Sequence, residues 1–171
     1  MENDVFNNLQ ELYLSRNEIE DIKVLKNVKF DKLKKLNLGS NKISDITILE
    51  DVNFKDLKEL VLYENRISDI ESLWKLHSYK LEILDLHSNK ISEINSLEKG
   101  DFRELKKLYL YDNNISDIKP LEKIKFDKLE ILDLHKNKIT NINISVDVEF
   151  KELKIVYLFY NNIQIKIYSK R

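Results

Sequence analysis

The chain of 171 residues has no cysteine and no alanine, two glycines and one proline. Each scarcity excludes something. Without cysteine there are no disulfide-closed ends and no thiol nucleophile, which fits a reducing, intracellular setting, expected to be the cytoplasm. With so little glycine and proline, nothing resembles a flexible joint, and residues 1–171 read as a single domain. No apolar run approaches the roughly 20 residues of a membrane-spanning helix. Met1 to Leu9 carries acids and amides rather than a basic and then apolar stretch, so no signal peptide is expected. Charge of one sign is also missing. Lys and Arg total 29, Asp and Glu total 30, and the net charge is −1. That balance argues against nucleic acid or an anionic membrane as partner. Two sequons, Asn114-Ile115-Ser116 and Asn143-Ile144-Ser145, are ascribed to chance in an Asn-rich chain.

What is present is repetition. The phrase L-x-x-L-x-L-x-x-N-x-I starts at residues 9, 33, 57, 81, 105, 129 and 153, a fixed period of 24. Fixed-period self-similarity marks a stacked solenoid. Within each phrase, apolar and polar residues alternate as in a half-buried strand: Leu36 and Leu38 against Lys35, Asn37 and Gly39. Successive repeats run the same way, so the strands are predicted to form a parallel sheet. The inward positions stack as Leu12, Leu36, Leu60, Leu84, Leu108, Leu132 and Val156, and as Leu14, Leu38, Leu62, Leu86, Leu110, Leu134 and Leu158.

Each strand is followed by an asparagine: Asn17, Asn41, Asn65, Asn89, Asn113, Asn137 and Asn161. The chain must turn there, and an amide that both donates and accepts can satisfy its own turn and the adjacent one. The row is in phase with the core leucines and is read as structural. Asp21, Asp45, Asp69 and Asp117 then precede an apolar series such as Ile46, Leu49 and Val52, with Glu93 and Asn141 in two repeats. Spacing of three predicts short helical turns that the aspartates N-cap. An aromatic spine closes the arc at Phe6, Phe30, Phe54, Phe102, Phe126 and Phe150. Ser78 breaks it, and Tyr79 is expected to substitute from one place along. Local irregularity is expected near Ser78, Gly100 and Ser145, and Trp74 and His77 are expected to pack in this arc.

This phrase resembles the leucine-rich repeat, from about Phe6 to Ile163. The Ile-x-x-Ile-x-x-Leu continuation at Ile67, Ile70 and Leu73 is similar to the short repeats of phosphatase-1 regulatory subunits and internalins. The resemblance implies an α/β leucine-rich repeat solenoid, curved, with a concave parallel sheet and short helical or 3-10 turns outside. It also implies protein recognition on the concave side. Residues 1–8 are expected to cap the N-terminal end, and 164–171 to form a tail or cap.

In that family the non-leucine strand positions face the concave side, which gives three ladders. The first is Glu11, Lys35, Glu59, Ile83, Lys107, Ile131 and Ile155. The second is Tyr13, Asn37, Val61, Asp85, Tyr109, Asp133 and Tyr157. The third is Ser15, Gly39, Tyr63, His87, Tyr111, His135 and Phe159. From Tyr63 onward the third ladder is aromatic or imidazole at every step. The expected binding surface is Tyr63, Asp85, His87, Tyr109, Tyr111, Asp133, His135, Tyr157 and Phe159, because rigid aromatics suit binding hot spots. The other reading is that the rings stabilise the sheet by stacking on each other. Leu-Glu-Ile-Leu-Asp-Leu-His at 81–87 recurs at 129–135, so Asp–His rungs alternate with double-aromatic rungs.

No metal, cofactor or catalytic site is expected. The two Asp–His rungs lie two strands, or roughly 10 Å, apart, too far for one ion bound at about 2.0–2.2 Å. Phosphate loops and H-E-x-x-H are missing. The leading expectation is a non-enzymatic module, a monomer or weak homodimer, that binds a protein or peptide. The alternatives are a subunit self-associating through its β-prone C-terminal edge, and an internalin-like exported adhesin or effector.

Overall fold

In the computed structural model, described over residues 6–76, 78–142 and 150–164, seven strands form one parallel sheet in sequence order. They are β1 (Glu11–Tyr13), β2 (Lys35–Asn37), β3 (Glu59–Val61), β4 (Ile83–Asp85), β5 (Lys107–Tyr109), β6 (Ile131–Asp133) and β7 (Ile155–Tyr157). Every pairing has the same register, Leu12 opposite Leu36, Leu36 opposite Leu60, and so on to Val156. The sequence period is therefore also the spatial step.

The leucine columns make the core. Leu36, Leu38, Leu60, Leu62, Leu86, Leu108 and Leu110 are wholly buried, as are Ile43, Ile67, Ile91, Ile115 and Ile139. A fully buried side chain of this size stabilises by about 1.5–3 kcal/mol. Burial fails at the ends, where no further repeat covers the described residues. Val156, in the leucine column, is 43% exposed, and Phe6 is 41% exposed.

Each strand is only three residues long because the chain must turn at once. The residue before every ladder asparagine has a positive φ, from 49° at Glu64 to 59° at Arg16, and none is glycine. A side chain in this left-handed region costs roughly 1–2 kcal/mol, so something must hold the turn. The asparagine does. Asn113 donates to the carbonyls of Leu86 (3.0 Å) and Leu110 (3.1 Å) and accepts the N–H of Ile91 (3.0 Å). Two of those partners belong to the preceding repeat. Asn41, Asn65, Asn89 and Asn137 repeat the pattern. These five side chains lie in residues only 7–9% exposed.

The outer arc consists of 3-10 turns at Lys23–Asn27, Thr47–Glu50, Glu71–Lys75, Asn95–Lys99 and Lys119–Lys123. The aspartates act one step earlier than an N-cap. The cap residues are Ile22, Ile46, Ile70 and Ile118, which have no side-chain acceptor. Asp21, Asp45, Asp69 and Asp117 instead accept the N–H two residues on, at 2.8–2.9 Å, closing an Asx turn that leads into the helix.

Two expectations about the arc need correction. Tyr79 does not replace the missing phenylalanine. It is 68% exposed, whereas Ser78 is buried and its hydroxyl donates to the Leu57 carbonyl at 2.6 Å. Backbone position, rather than ring size, decides which residue enters the spine. Trp74 is half-buried, with its Nε1–H donating to Glu71 at 3.0 Å, so it packs only in part. Gly100 leaves room for the Phe102 ring, which a Cβ there would force to shift. Met1, Val5, His77, Ser145 and the tail from Ile165 lie outside the described residues.

Replacing Asn113 by Ala orphans the Ile91 N–H in the core and takes one of two amide donors from each of the Leu86 and Leu110 carbonyls, which keep Asn89 and Asn137. At about 1–3 kcal/mol per unsatisfied buried group, Asn113→Ala is expected to cost roughly 2 kcal/mol in urea unfolding. Asn17→Ala, at the open end, should cost under about 1 kcal/mol. Equal losses would contradict this account of the ladder.

Candidate binding surface on the concave face

The in-register sheet places each concave ladder as a row of side chains, one per strand. In the third ladder the rings stack face to face without interruption. Tyr63 lies 4.7 Å from His87, His87 4.1 Å from Tyr111, Tyr111 4.4 Å from His135, and His135 4.3 Å from Phe159, centroid to centroid. Interplanar angles stay between 4° and 15°. Each such contact adds about 0.5–1.5 kcal/mol beyond area burial. Five of the nine candidate residues thus form one continuous column, whose faces are spent on each other and whose edges meet solvent.

The column begins at Tyr63 for a physical reason. The Tyr63 ring lies over Gly39, and a Cβ at that position would strike it. Glycine in this ladder provides room for the first ring, a role that its place in the sequence did not disclose.

The second ladder supports the third. Asp85 accepts from the His87 ring Nδ1 at 2.6 Å and from the His87 backbone N–H at 3.2 Å. Asp133 does the same for His135, at 2.6 Å and 3.2 Å. Asn37 makes the equivalent backbone bond to Gly39 at 3.0 Å. A carboxylate only accepts, so Nδ1 carries the hydrogen. Asp133 is only 7% exposed. Its carboxylate is spent on holding the His135 ring.

The exposed apolar surface lies beside and beyond the column. Tyr157 is 41% exposed, Phe159 52% and Tyr160 76%. Tyr157 and Tyr160 each meet Phe159 edge-on, at 6.1 Å and 5.4 Å. Tyr109 stands between Asp85 and Asp133 in the sheet register. Its phenol is pushed up by burial, and further by Asp85 and Asp133. Val61, on the same ladder, is buried and ends the polar stripe. At the other end of the sheet, Lys35 reaches Glu11 (3.5 Å) and Glu59 (3.7 Å). Such solvated pairs are worth little. Among the described residues no group of three or more potential ligands could hold a metal ion, and no helix is long and apolar enough to cross a membrane.

A parallel sheet of three-residue strands, an asparagine ladder and a 3-10 arc define a leucine-rich repeat solenoid. The family pattern for leucine-rich repeats in two copies matches residues 7–51, 55–99 and 103–146, so the chain belongs to the leucine-rich repeat family. No curated protein sequence matches it. Among solved structures it is similar to internalin C2 of Listeria monocytogenes, with 28% identity, TM-score 0.68, and 89% of this chain and 72% of that one covered. Another internalin of that organism, InlF, gives 22% identity and TM-score 0.72 over 96% of this chain. The present chain spans 52% of InlF's length. The leucine-rich repeat ectodomain of the Arabidopsis thaliana receptor kinase GASSHO1/SCHENGEN3 is 26% identical, with TM-score 0.71, covering 91% of this chain and 19% of that one.

Tyr111, in the middle of the column, carries the largest electrostatic signature. Burial raises its phenol to about 12, with Asp85, Asp133, Glu64 and Asp112 adding to the effect. A pKa raised above its ordinary 10.0 contributes stability that is fully present below pH 10 and lost as pH rises through about 12. Urea midpoints measured below pH 10 and near pH 12 should therefore fall less in Tyr111→Phe than in the wild type. Identical losses would show that Tyr111 is not held neutral by the column.

Proposed function

We propose that the concave face from Tyr63 to Phe159 binds a protein or peptide and performs no covalent chemistry. The carrying observation is the composite surface itself. A rigid column of ring edges runs along the sheet, with Tyr109 beside it and exposed Tyr157 and Phe159 at its end. Aromatics already fixed by stacking and by Asp–His bonds lose little conformational freedom when a partner covers them. Tyr hydroxyls and imidazole Nε2 atoms along the edges offer donors and acceptors at short intervals. The GASSHO1 ectodomain, similar in fold at 26% identity, was solved in complex with CASPARIAN STRIP INTEGRITY FACTOR 2, which supports a protein or peptide as the class of partner.

A second reading, self-association, is favoured by one observation. Ile155, Val156 and Tyr157 of β7 are 38–43% exposed, and no described strand pairs with the outer edge of β7.

One comparison separates the two. Tyr109→Ser with Tyr157→Ser alters half-buried Tyr109 and exposed Tyr157 while keeping the ring column, and Val156→Lys charges the open end. Affinity capture with identification by mass spectrometry should lose its specific partner in the double variant, and retain it in Val156→Lys. Sedimentation should show a monomer throughout. Unchanged capture by the folded double variant would overturn the concave reading. A concentration-dependent dimer abolished by Val156→Lys would favour the second.

A further inference from the structure

The first concave ladder changes character at Ile83. Up to Glu59 it is charged and paired within itself, Lys35 reaching Glu11 at 3.5 Å and Glu59 at 3.7 Å. From β4 onward it reads Ile83, Lys107, Ile131 and Ile155. The sheet register sets Lys107 between Ile83 and Ile131, so the places where its counter-charges would stand are apolar. Lys107 is half-buried. Among the described residues its ammonium makes no ion pair or hydrogen bond. Its neighbour in the chain differs. Lys106 meets Glu82 at 2.6 Å, and Lys58 meets the same carboxylate at 2.7 Å.

Across the three concave ladders from β4 to β7, Lys107 is the only lysine or arginine. The carboxylates there are Asp85 and Asp133, on the second ladder. Both turn toward the third ladder, away from Lys107. Asp85 accepts from His87 Nδ1 and Asp133 from His135 Nδ1, each at 2.6 Å. The face thus presents one cation, set among isoleucines, with no counter-charge of its own.

This matters once the face is covered. An ammonium in water is well solvated, but under a partner it loses that water. A buried charge left unmatched is strongly unfavourable. A polypeptide lying over Tyr109 and Tyr157 is therefore favoured when it brings an anion to Lys107.

We propose that Lys107 selects a partner segment in which an acidic side chain, Asp or Glu, stands between apolar residues. The inference rests on the concave face being the binding surface. Ile83 and Ile131 lie on both sides of Lys107, so apolar contact rewards a chain that continues past it in both directions. That places the anion on a side chain rather than at a chain end. A lone ammonium is a point charge suited to one carboxylate. The nearby charges of Asp85 and Asp133 oppose the higher charge of a phosphate more than that of a carboxylate.

Random peptides displayed between two linkers, without a free carboxyl terminus, are the probe. Binders to the wild type that are lost on Tyr109→Ser with Tyr157→Ser mark the concave face. These binders should be enriched in Asp or Glu flanked by apolar residues, and selection on Lys107→Glu should remove that enrichment. For one such peptide made synthetically, replacing its acid by the matching amide should weaken binding to the wild type at least fivefold. The same replacement should change binding to Lys107→Gln less than twofold. Lys107 holds no other side chain by hydrogen bond or ion pair, so both variants should fold, as circular dichroism would check. Concave binders without acidic enrichment, or an equal acid-to-amide loss in Lys107→Gln, would overturn this proposal while leaving the concave reading standing. No binder sensitive to Tyr109 and Tyr157 would overturn both.

Discussion

The structure depends on the bond between each asparagine amide and the repeat before it. A left-handed turn occupied by Arg16, Ser40, Glu64, Ser88, Asp112, Lys136 and Tyr160 is unfavourable on its own. It persists because the following asparagine ties it to two repeats at once. Asn65, for example, donates to Leu38 and Leu62 and accepts from Ile43. The leucine columns provide the larger share of burial, but burial alone does not fix register. The amide does, because one residue of slip would break all three bonds that it makes to the backbone of two repeats.

Fixed register has a consequence on the opposite face. A constant step of 24 residues puts like positions side by side, so a ladder of rings in the sequence becomes a stack of rings in space. Centroid spacings of 4.1–4.7 Å fall slightly below the roughly 4.8 Å between strands. The rings therefore touch along the whole column. The Asp–His bonds set the orientation of alternate members. The concave surface is organised by the same constraint that holds the core, and this is why its aromatics stack in one column.

Much of this was legible in the sequence. The leucine, asparagine and phenylalanine periods sufficed for strand order, parallel direction, inward faces and the 3-10 arc, because a repeat lets seven weak signals be read in one phase. Three kinds of detail were not legible. The aspartates of the arc sit one residue before the cap, a distinction of backbone geometry that residue type does not carry. Tyr79 looked like a substitute for the missing spine ring, yet its place on the backbone points it to solvent. At the candidate surface, sequence placed Tyr63, His87, Tyr111, His135 and Phe159 in one row but left two readings, contact or stacking. The structure shows stacking, with edges left for contact. Asp133 stood in the candidate surface by its place in the ladder, and the sequence did not disclose that it is buried and bonded to His135. Gly39 stood in the ladder without an assigned role until the Tyr63 ring was seen above it.

A solenoid held this way offers two different surfaces. The concave one is continuous and set by period, whereas the convex arc is interrupted where one repeat closes with Ser78 in place of phenylalanine. Both rest on the ladder, so the ladder is where the account is most exposed. Native-state hydrogen exchange of the Ile43, Ile67, Ile91 and Ile115 amides, each donated to the next repeat's asparagine, tests it most directly. The account expects these amides to be as protected as those of Leu62 and Leu86, which bond to the Asp85 and Tyr109 carbonyls of the neighbouring strands. Exchange at the rate of exposed loop amides, with the Leu62 and Leu86 amides still protected, would contradict it.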